Sequence, residues 1–319
     1  MLKLSIIIPC YNSERFISST LNMLIDQNLS DCEVIVVNDG SVDKTKNIVE
    51  EYVKSNPSIK LINQINKGVS CARNVGLKEA SGKFIYFLDS DDTLVPGTLD
   101  FFRQILSENE SCNIFCFGYQ TNYNGKIIKQ YVSKKLNNKI LSGSLLTKNF
   151  FTKKLPINIC SSIYERELLL RNNIKFKEGV KIGEDLEFIL QVILNTTKLY
   201  YNSRISFIYL IRNDSAMQGY KKYQKSNYYI DLFKSLLDLN KSNEDLQMYY
   251  NYFLILHYIY NLRMYLISDT VDNNINQLFI DDSYLLKNKI KPYSILLYFV
   301  IGFLRKIPIR FILKISHKF

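Results

Sequence analysis

Over the first third of the chain, short β-branched runs alternate with longer stretches of helical period. Leu4–Ile8, Glu33–Val37, Ile59–Ile62 and Lys83–Leu88 read as strands. Between them, Glu14–Asp26, Asp43–Lys54 and Gly68–Ala80 carry apolar residues at helical spacing, with Ser13 and Ser41 placed as helix starters. This alternation predicts an α/β fold built on a mostly parallel, Rossmann-like sheet flanked by crossover helices. Open sheets of this kind bind ligands beyond the carboxyl ends of their strands, and the polar punctuation falls there. It consists of Pro9-Cys10-Tyr11-Asn12 after the first strand, Asn38-Asp39-Gly40-Ser41 after the second and Asp89-Ser90-Asp91-Asp92 after the fourth.

The pattern then loosens. A helix is expected from Pro96 to about Glu108, a strand over Asn113–Tyr119, and a polar stretch from Gln120 to Asn138 in which Asn124-Gly125 signals a hairpin. Asn158–Tyr164 and a helix-like Glu165–Arg171 precede Gly183-Glu184-Asp185, which opens a helix with Leu186, Ile189, Leu190 and Ile193 on one face. Tyr200–Ile211 reads as one or two strands, and Tyr220–Ser268 as helix rich in Tyr and Leu. A soft boundary near Gly219 divides an α/β domain, 1–219, from a helical C-terminal region, 220–319.

A hydrophobic content of 47% and a charged content of 22% exclude a disordered chain. The net charge of +11 is concentrated at the end: from Lys287 onward the chain holds Lys287, Lys289, Lys291, Arg305, Lys306, Arg310, Lys314 and Lys318 and no Asp or Glu. The apolar run Tyr293–Leu304 between these cations is shorter than the roughly 20 residues of a membrane span. The combination predicts an interfacial segment meeting an anionic membrane surface, broken in two at Pro308. The alternatives are a packed C-terminal element or a contact between copies in a homo-oligomer. Nucleic acid fits poorly, since a phosphate-driven contact leaves the apolar run without a role. The six cysteines form no CxxC pair and several lie in apolar runs, which indicates a reducing compartment. The N-terminus shows no secretory leader, so a cytoplasmic protein is expected.

Clustered carboxylates after an apolar strand repel one another unless a cation compensates, and Asp89-Ser90-Asp91-Asp92 therefore points to a hard divalent ion. The competing reading is an acidic turn that caps the helix after Pro96. Pro9-Cys10-Tyr11-Asn12, Val36-Val37-Asn38-Asp39-Gly40-Ser41-Val42-Asp43, Asn66-Lys67-Gly68 with Ala72-Arg73-Asn74-Val75-Gly76, and Asp89-Ser90-Asp91-Asp92 together resemble the family 2 glycosyltransferases of the GT-A fold. Each motif alone is weak, whereas four in this order are specific.

The resemblance implies an inverting transfer of a hexose or N-acetylhexosamine from a UDP-sugar to an acceptor hydroxyl, with Mn2+ or Mg2+ as cofactor. It splits the α/β domain into a nucleotide-sugar half, about 1–118, and an acceptor half, about 119–219. Asp39 would accept from the uracil imide, with Pro9, Tyr11 and Asn12 lining the same pocket; on its own Asp39 reads as a turn residue. Lys67, Gly68 and Arg73 would lie near the donor, and Arg73 could equally serve a structural ion pair. Asp89 and Ser90 are expected near the donor ribose or sugar, and Asp91, with Asp89, on the metal. Glu184 and Asp185 supply the general base, usually the Asp, although acidic residues also favour a first helical turn for dipole reasons. Arg212 and Ser215 are candidates for the diphosphate, in a loop that would close over the donor. By analogy the acceptor is a glycan or lipid-linked oligosaccharide of a capsule or other surface polysaccharide, handled at the inner face of the plasma membrane.

A sugar-phosphate nucleotidyltransferase would carry a glycine-rich loop after the first strand, and a dinucleotide-binding oxidoreductase GxGxxG; neither is present. The non-enzyme alternative is a degenerate GT-A fold that binds glycans or scaffolds a membrane complex.

Overall fold

The computed structural model describes residues 3–180, 183–212, 244–267, 272–288 and 295–316. The chain forms two compact units, Met1–Leu146 with Leu155–Asn213, and Thr147–Lys154 with Asp214–Phe319.

The first unit is built on a ten-stranded sheet. Its opening elements are β1 (Leu4–Cys10), α1 (Ile17–Ile25), β2 (Cys32–Asp39), α2 (Thr45–Ser55), β3 (Ile59–Gln64), α3 (Val69–Glu79) and β4 (Phe84–Phe87). After them come β5 (Thr93–Leu94), α4 (Thr98–Glu108), β6 (Ile114–Tyr123), β7 (Lys126–Tyr131), β8 (Lys139–Ser142), α5 (Gly143–Phe151), β9 (Ser162–Glu165), α6 (Arg166–Arg171), α7 (Glu184–Asn195) and β10 (Lys198–Ile211). The path runs β3-β2-β1-β4-β9-β6-β10-β5, with β7 on β6 and β8 on β10. Along it β3, β2, β1, β4, β6 and β10 share a direction, and only β9 and the short β5 oppose them. The sheet is thus mostly parallel, flanked by helices as the alternating pattern predicts.

Every residue of β1 and β2 is buried, as expected of parallel strands covered on both faces. Of the two carboxylates this buries in β2, Glu33 is answered by five donors: Ser5 Oγ, Lys60 Nζ, and the Ser81 N–H, Ser81 Oγ and Gly82 N–H. Gly76 lets α3 lie against β1, because a Cβ there would stand 2.4 Å from Ile7 Cγ2. The hairpin signal at Asn124-Gly125 becomes the β6–β7 turn, with φ of 48° and 74° at its two central residues. Tyr200–Ile211 belongs to a single strand, β10, irregular between Asn202 and Phe207.

The helix starters differ from expectation. α1 begins at Ile17, and Ser13 turns its hydroxyl to Ser90 Oγ at 2.8 Å instead of capping. At α2 the residue before the N-cap position, Asp43, accepts from the Thr45 N–H at 2.9 Å, while Ser41 Oγ accepts from the Asn12 N–H. α4 receives its cap from a distance: Gln27 Oε1 accepts from the N–H groups of both Thr98 and Leu99. The acidic segment after β4 therefore does not cap α4.

Of the second unit, α8 (Glu244–Leu266), α9 (Asn273–Asp281), α10 (Ile295–Lys306) and α11 (Ile309–Ser316) are described, together with the end of α5. Phe151 packs on Tyr250 and Phe253. From Ile295 to Ser316 the basic tail is two helices either side of Ile307-Pro308. Ile301, Ile309 and Leu313 are buried, Phe303 is 61% exposed, and the Arg305 guanidinium donates to the carbonyls of Leu286 and Asn288. Part of the tail thus packs on its own unit. Among the described residues no helix is long and apolar enough to cross a membrane.

Candidate active site

The loops after β1, β2, β3 and β4 meet at one edge of the sheet. Asn12, at φ 50°, accepts from the Val42 N–H through Oδ1 and so joins the β1 loop to the β2 loop. Pro9 is buried in β1, and the side chain of Tyr11 projects with 51% of the residue exposed. Gly40, at φ 73°, passes so near the next loop that a Cβ would stand 2.6 Å from the Asn66 nitrogen. Asp39 closes this corner. Its Oδ1 accepts from Gln64 Nε2 at 2.7 Å and the Lys67 N–H at 2.8 Å, and its Oδ2 accepts from the Gly68 N–H at 2.8 Å. A carboxylate oxygen can accept twice, so Oδ2 retains one acceptor position. Asp39 is thus tied to the α3 loop, not to an Asx-turn into α2. Gly68, at φ 91°, precedes the first turn of α3, and nothing lies within 4 Å of where its Cβ would be.

Around Arg73, three elements converge. This residue of α3 is 2% exposed; its Nη2 donates to Asp89 Oδ1 at 2.8 Å and its Nη1 to Asp185 Oδ1 at 2.6 Å, with Glu184 Oε1 at 3.9 Å. Its guanidinium also lies 5.1 Å from the Phe176 ring centroid. Burial disfavours the charge on Arg73, but Asp185 and Asp89 outweigh it and leave the cation more firmly protonated than usual. Burial raises the carboxyls of Glu184 and Asp185, and Arg73 opposes the rise in both.

The acidic segment divides its work. Ser90 is buried on Ser13 Oγ and receives Thr20 Oγ1 at its carbonyl. Asp91 pairs with Arg212 at the end of β10, whose guanidinium lies 4.1 Å from the Phe16 ring centroid. Asp92, 2% exposed, accepts from the Leu210 N–H at 3.0 Å, while its Oδ2 is buried without a hydrogen-bond partner. Burial raises Asp91 and Asp92, and the neighbouring Asp89 charge adds to it.

Among the described residues one acidic group has metal-ligand spacing: Asp89, Asp92 and Cys160 place one ligand atom each within 4.8 Å of one another. The family resemblance implies Asp89 with Asp91 as the ligands; Asp91 here pairs with Arg212, and Cys160 is not among the implied ligands. Burial and the Asp89 and Asp92 charges push the Cys160 thiol well above its usual range, so it stays protonated and unsuited to a hard cation. The remaining oxygens fit one. The Asp89 and Asp91 side chains are 33% and 25% exposed, and their mutual repulsion together with the partnerless Asp92 oxygen marks a deficit of positive charge. Ser215, the other diphosphate candidate, lies outside the described residues.

Residues 5–169 match the family model described as Glycosyl transferase family 2. The chain belongs to that family. The uncharacterized glycosyltransferase YibD of Escherichia coli K12 is 28% identical to this family 2 chain over 259 residues, 78% of this chain and 74% of YibD. The poly(ribitol-phosphate) beta-N-acetylglucosaminyltransferase TarS of Staphylococcus aureus is 32% identical over 217 residues, 67% of this chain and only 36% of TarS. The crystal structure of S. aureus TarS 1–349 in complex with UDP-GlcNAc matches at TM-score 0.72 and 26% identity, over 89% of this chain and 81% of that one. The fold is therefore GT-A, and the activity class is transfer of sugar from a nucleotide sugar.

Several residues of the site gave no sequence signal. Gln64 closes Asp39 from a strand end, and Phe16 and Phe176 face the two arginines; all three read as ordinary helix, strand or loop positions, while Ser13, which holds Ser90, reads only as a helix starter.

Proposed function

We propose that this family 2 enzyme transfers a hexose or N-acetylhexosamine, with inversion, from a UDP-sugar to a hydroxyl of a surface glycan or its lipid-linked precursor. The supporting observation is Arg73, buried between Asp89 after β4 and Asp185 at the head of α7, which ties a donor-side carboxylate to a candidate base. The name of TarS supports a beta-linked product, and its complex a UDP-sugar donor.

Asp185 is the general base. Arg73 fixes its Oδ1, its side chain is 40% exposed, and Oδ2 is left to take the acceptor proton as the oxygen attacks the anomeric carbon. Glu184, 16% exposed beside it, holds the helix terminus negative and steadies Arg73. Asp39, braced by Gln64, Lys67 and Gly68, offers Oδ2 to the uracil imide, between Pro9, Tyr11 and Asn12. Gly68 lets the donor approach the start of α3, where N–H groups and the helix dipole favour its phosphates. Arg212 leaves Asp91 for the diphosphate, with Ser215 in the segment that follows, and Ser90 fixes the backbone between the two aspartates. Asp89 and Asp91 would hold Mn2+ or Mg2+, which supplies positive charge to the departing diphosphate. Met1–Leu146 with Leu155–Asn213 is the catalytic unit. The exposed Phe303 beside Arg305, Lys306 and Arg310 supports peripheral attachment of the helical unit to an anionic membrane, at the cytoplasmic face.

Titration calorimetry with UDP, with and without manganese, alongside a UDP-sugar transfer assay, tests the division of labour. Asp185→Asn keeps UDP affinity and loses transfer by about a hundredfold or more, whereas Asp91→Asn loses the manganese-dependent part of UDP binding. Transfer at the parental rate by both variants would end the assignment.

A further inference from the structure

One groove of the first unit is not used by this mechanism. It encloses about 410 Å3 and is lined by Asn173, Lys175, Phe176, Lys177 and Glu178, from the segment between α6 and α7, and by Gln191 of α7. The segment is anchored, not loose. Asn74 of α3, next to Arg73, receives the Phe176 N–H on Oδ1 at 2.8 Å and donates through Nδ2 to the Phe176 carbonyl and to Glu178 Oε1. Phe176 is buried, stacked on Phe188 of α7 at 4.2 Å between centroids and lying edge-on to Phe87 of β4. The alternation of the chain through this buried ring leaves Lys175 and Lys177 exposed.

Through Gln191 the groove shares helix α7 with the carboxylates already described. Glu184, Glu187 and Gln191 are spaced three and four apart and share one face of α7, so Gln191 lies about 10 Å along the helix from Glu184. Between them Glu187 is 9% exposed with Oε2 lacking a hydrogen-bond partner, and Lys177 is the cation acting on it. Lys175 makes no ion pair among the described residues, and Glu178 already accepts from Asn74. The wall thus offers two ammonium groups, two side-chain amides and a carboxylate, a set that suits a phosphate together with hydroxyl groups.

We propose that this groove seats a phosphate-bearing sugar or polyol unit of the acceptor, Lys175 and Lys177 taking the phosphate and the amides of Asn173 and Gln191 the hydroxyls. The proposal rests on the glycosyltransferase reading and names its acceptor class. A unit held there would place a neighbouring hydroxyl of the same chain toward Glu184 and Asp185. Because Asn74 and Arg73 are adjacent in α3, the groove floor and the clamp on Asp185 are positioned by one helix.

The test is phosphorus NMR line broadening of ribitol 5-phosphate added to the full chain kept saturated with UDP and Mg2+, so that the donor crevice is filled. Broadening persists under these conditions and weakens about tenfold in the Lys175→Ala/Lys177→Ala variant; Gln191→Ala weakens it for ribitol 5-phosphate and leaves that of inorganic phosphate unchanged, while UDP titrations of all three proteins coincide. A second arm uses a short-chain prenyl diphosphate N-acetylglucosamine. Binding of this probe alone, through the same lysines, assigns the phosphate to a lipid diphosphate; binding of the polyol phosphate alone assigns it to a phosphodiester polymer. Absence of broadening while UDP is saturating, equal broadening by the lysine variant, displacement of ribitol 5-phosphate by an equal concentration of unphosphorylated ribitol, or binding of neither probe would overturn the proposal. Failure of UDP itself to bind would instead remove the glycosyltransferase reading and leave the groove result standing.

Discussion

Replacing Arg73 by Met isolates the charge at the centre of the site, because the thioether chain still fills the space beside Phe176. The substitution leaves Asp89, Asp185 and the nearby Glu184 without their common cation. Breaking a fully buried ion pair by removing one partner costs about 3–5 kcal/mol. Here the arginine side chain is 3% exposed but the Asp89 and Asp185 side chains are 33% and 40% exposed, so water screens part of the loss. A discounted figure is about 2 kcal/mol, equivalent to a fall in Tm of about 5 °C. The chain contains no Trp, so far-UV circular dichroism is the suitable monitor.

The sign with pH is specific. Arg73 favours the charged form of carboxyls that burial already pushes upward. In the variant their charges repel without relief while ionised, and they lose this penalty on protonation. The deficit is therefore largest at about pH 8 and shrinks toward about pH 5. Adding Asp185→Asn to the Met variant removes one of the stranded charges and recovers part of the loss, a non-additivity expected of groups in one network. A deficit below about 0.5 kcal/mol at pH 8, or one that grows on acidification, would refute the claim that this arginine is a buried counter-ion.

Two further outcomes follow from other parts of the molecule. Glu33, held by five donors, is lowered from 4.5 to about 2: burial alone would raise it, and Lys60, Ser81 and Ser5 reverse that effect. A depressed carboxyl contributes stability above its unfolded value that disappears as pH falls, so Glu33→Gln loses about 2 kcal/mol at neutral pH and the gap to the parent closes between pH 4.5 and about 2; equal urea midpoints at neutral pH would contradict it. For the tail, Phe303→Asp alters an exposed ring and should reduce co-sedimentation with anionic vesicles about tenfold at unchanged Tm, whereas unchanged sedimentation would remove the membrane role.

The fold was legible because its signals are local. Consecutive apolar residues in β1, β2 and β4 and the helical spacing between them specify crossover units, and Asn124-Gly125 states its own turn. Where the periodic signal was weak, elements went unseen: β8 and α5 lie in a stretch without clear alternation. Local reasoning also misassigned caps, since it ranked Ser13 and Ser41 by type, whereas the folded chain spends both hydroxyls on other loops and caps α4 with Gln27, seventy-one residues away.

In the site, the sequence could order the carboxylates but not partition them. Asp89, Asp91 and Asp92 lie within four residues and are chemically alike, yet each meets a different environment because β5 begins immediately after them and pairs with β10 through Leu94 opposite Phe207. That short pairing delivers the Leu210 N–H to Asp92 and Arg212 to Asp91, while Arg73 reaches Asp89 from α3 on the other side. The roles in an acidic motif are thus set by which long-range partner arrives at each oxygen, and no spacing rule within the motif contains that information. The same reasoning explains why Asp92, the most buried of the three aspartates, keeps a buried second oxygen without a donor: it is fixed by a backbone N–H on a strand, and a strand that donates one N–H to it directs the next toward the opposite side.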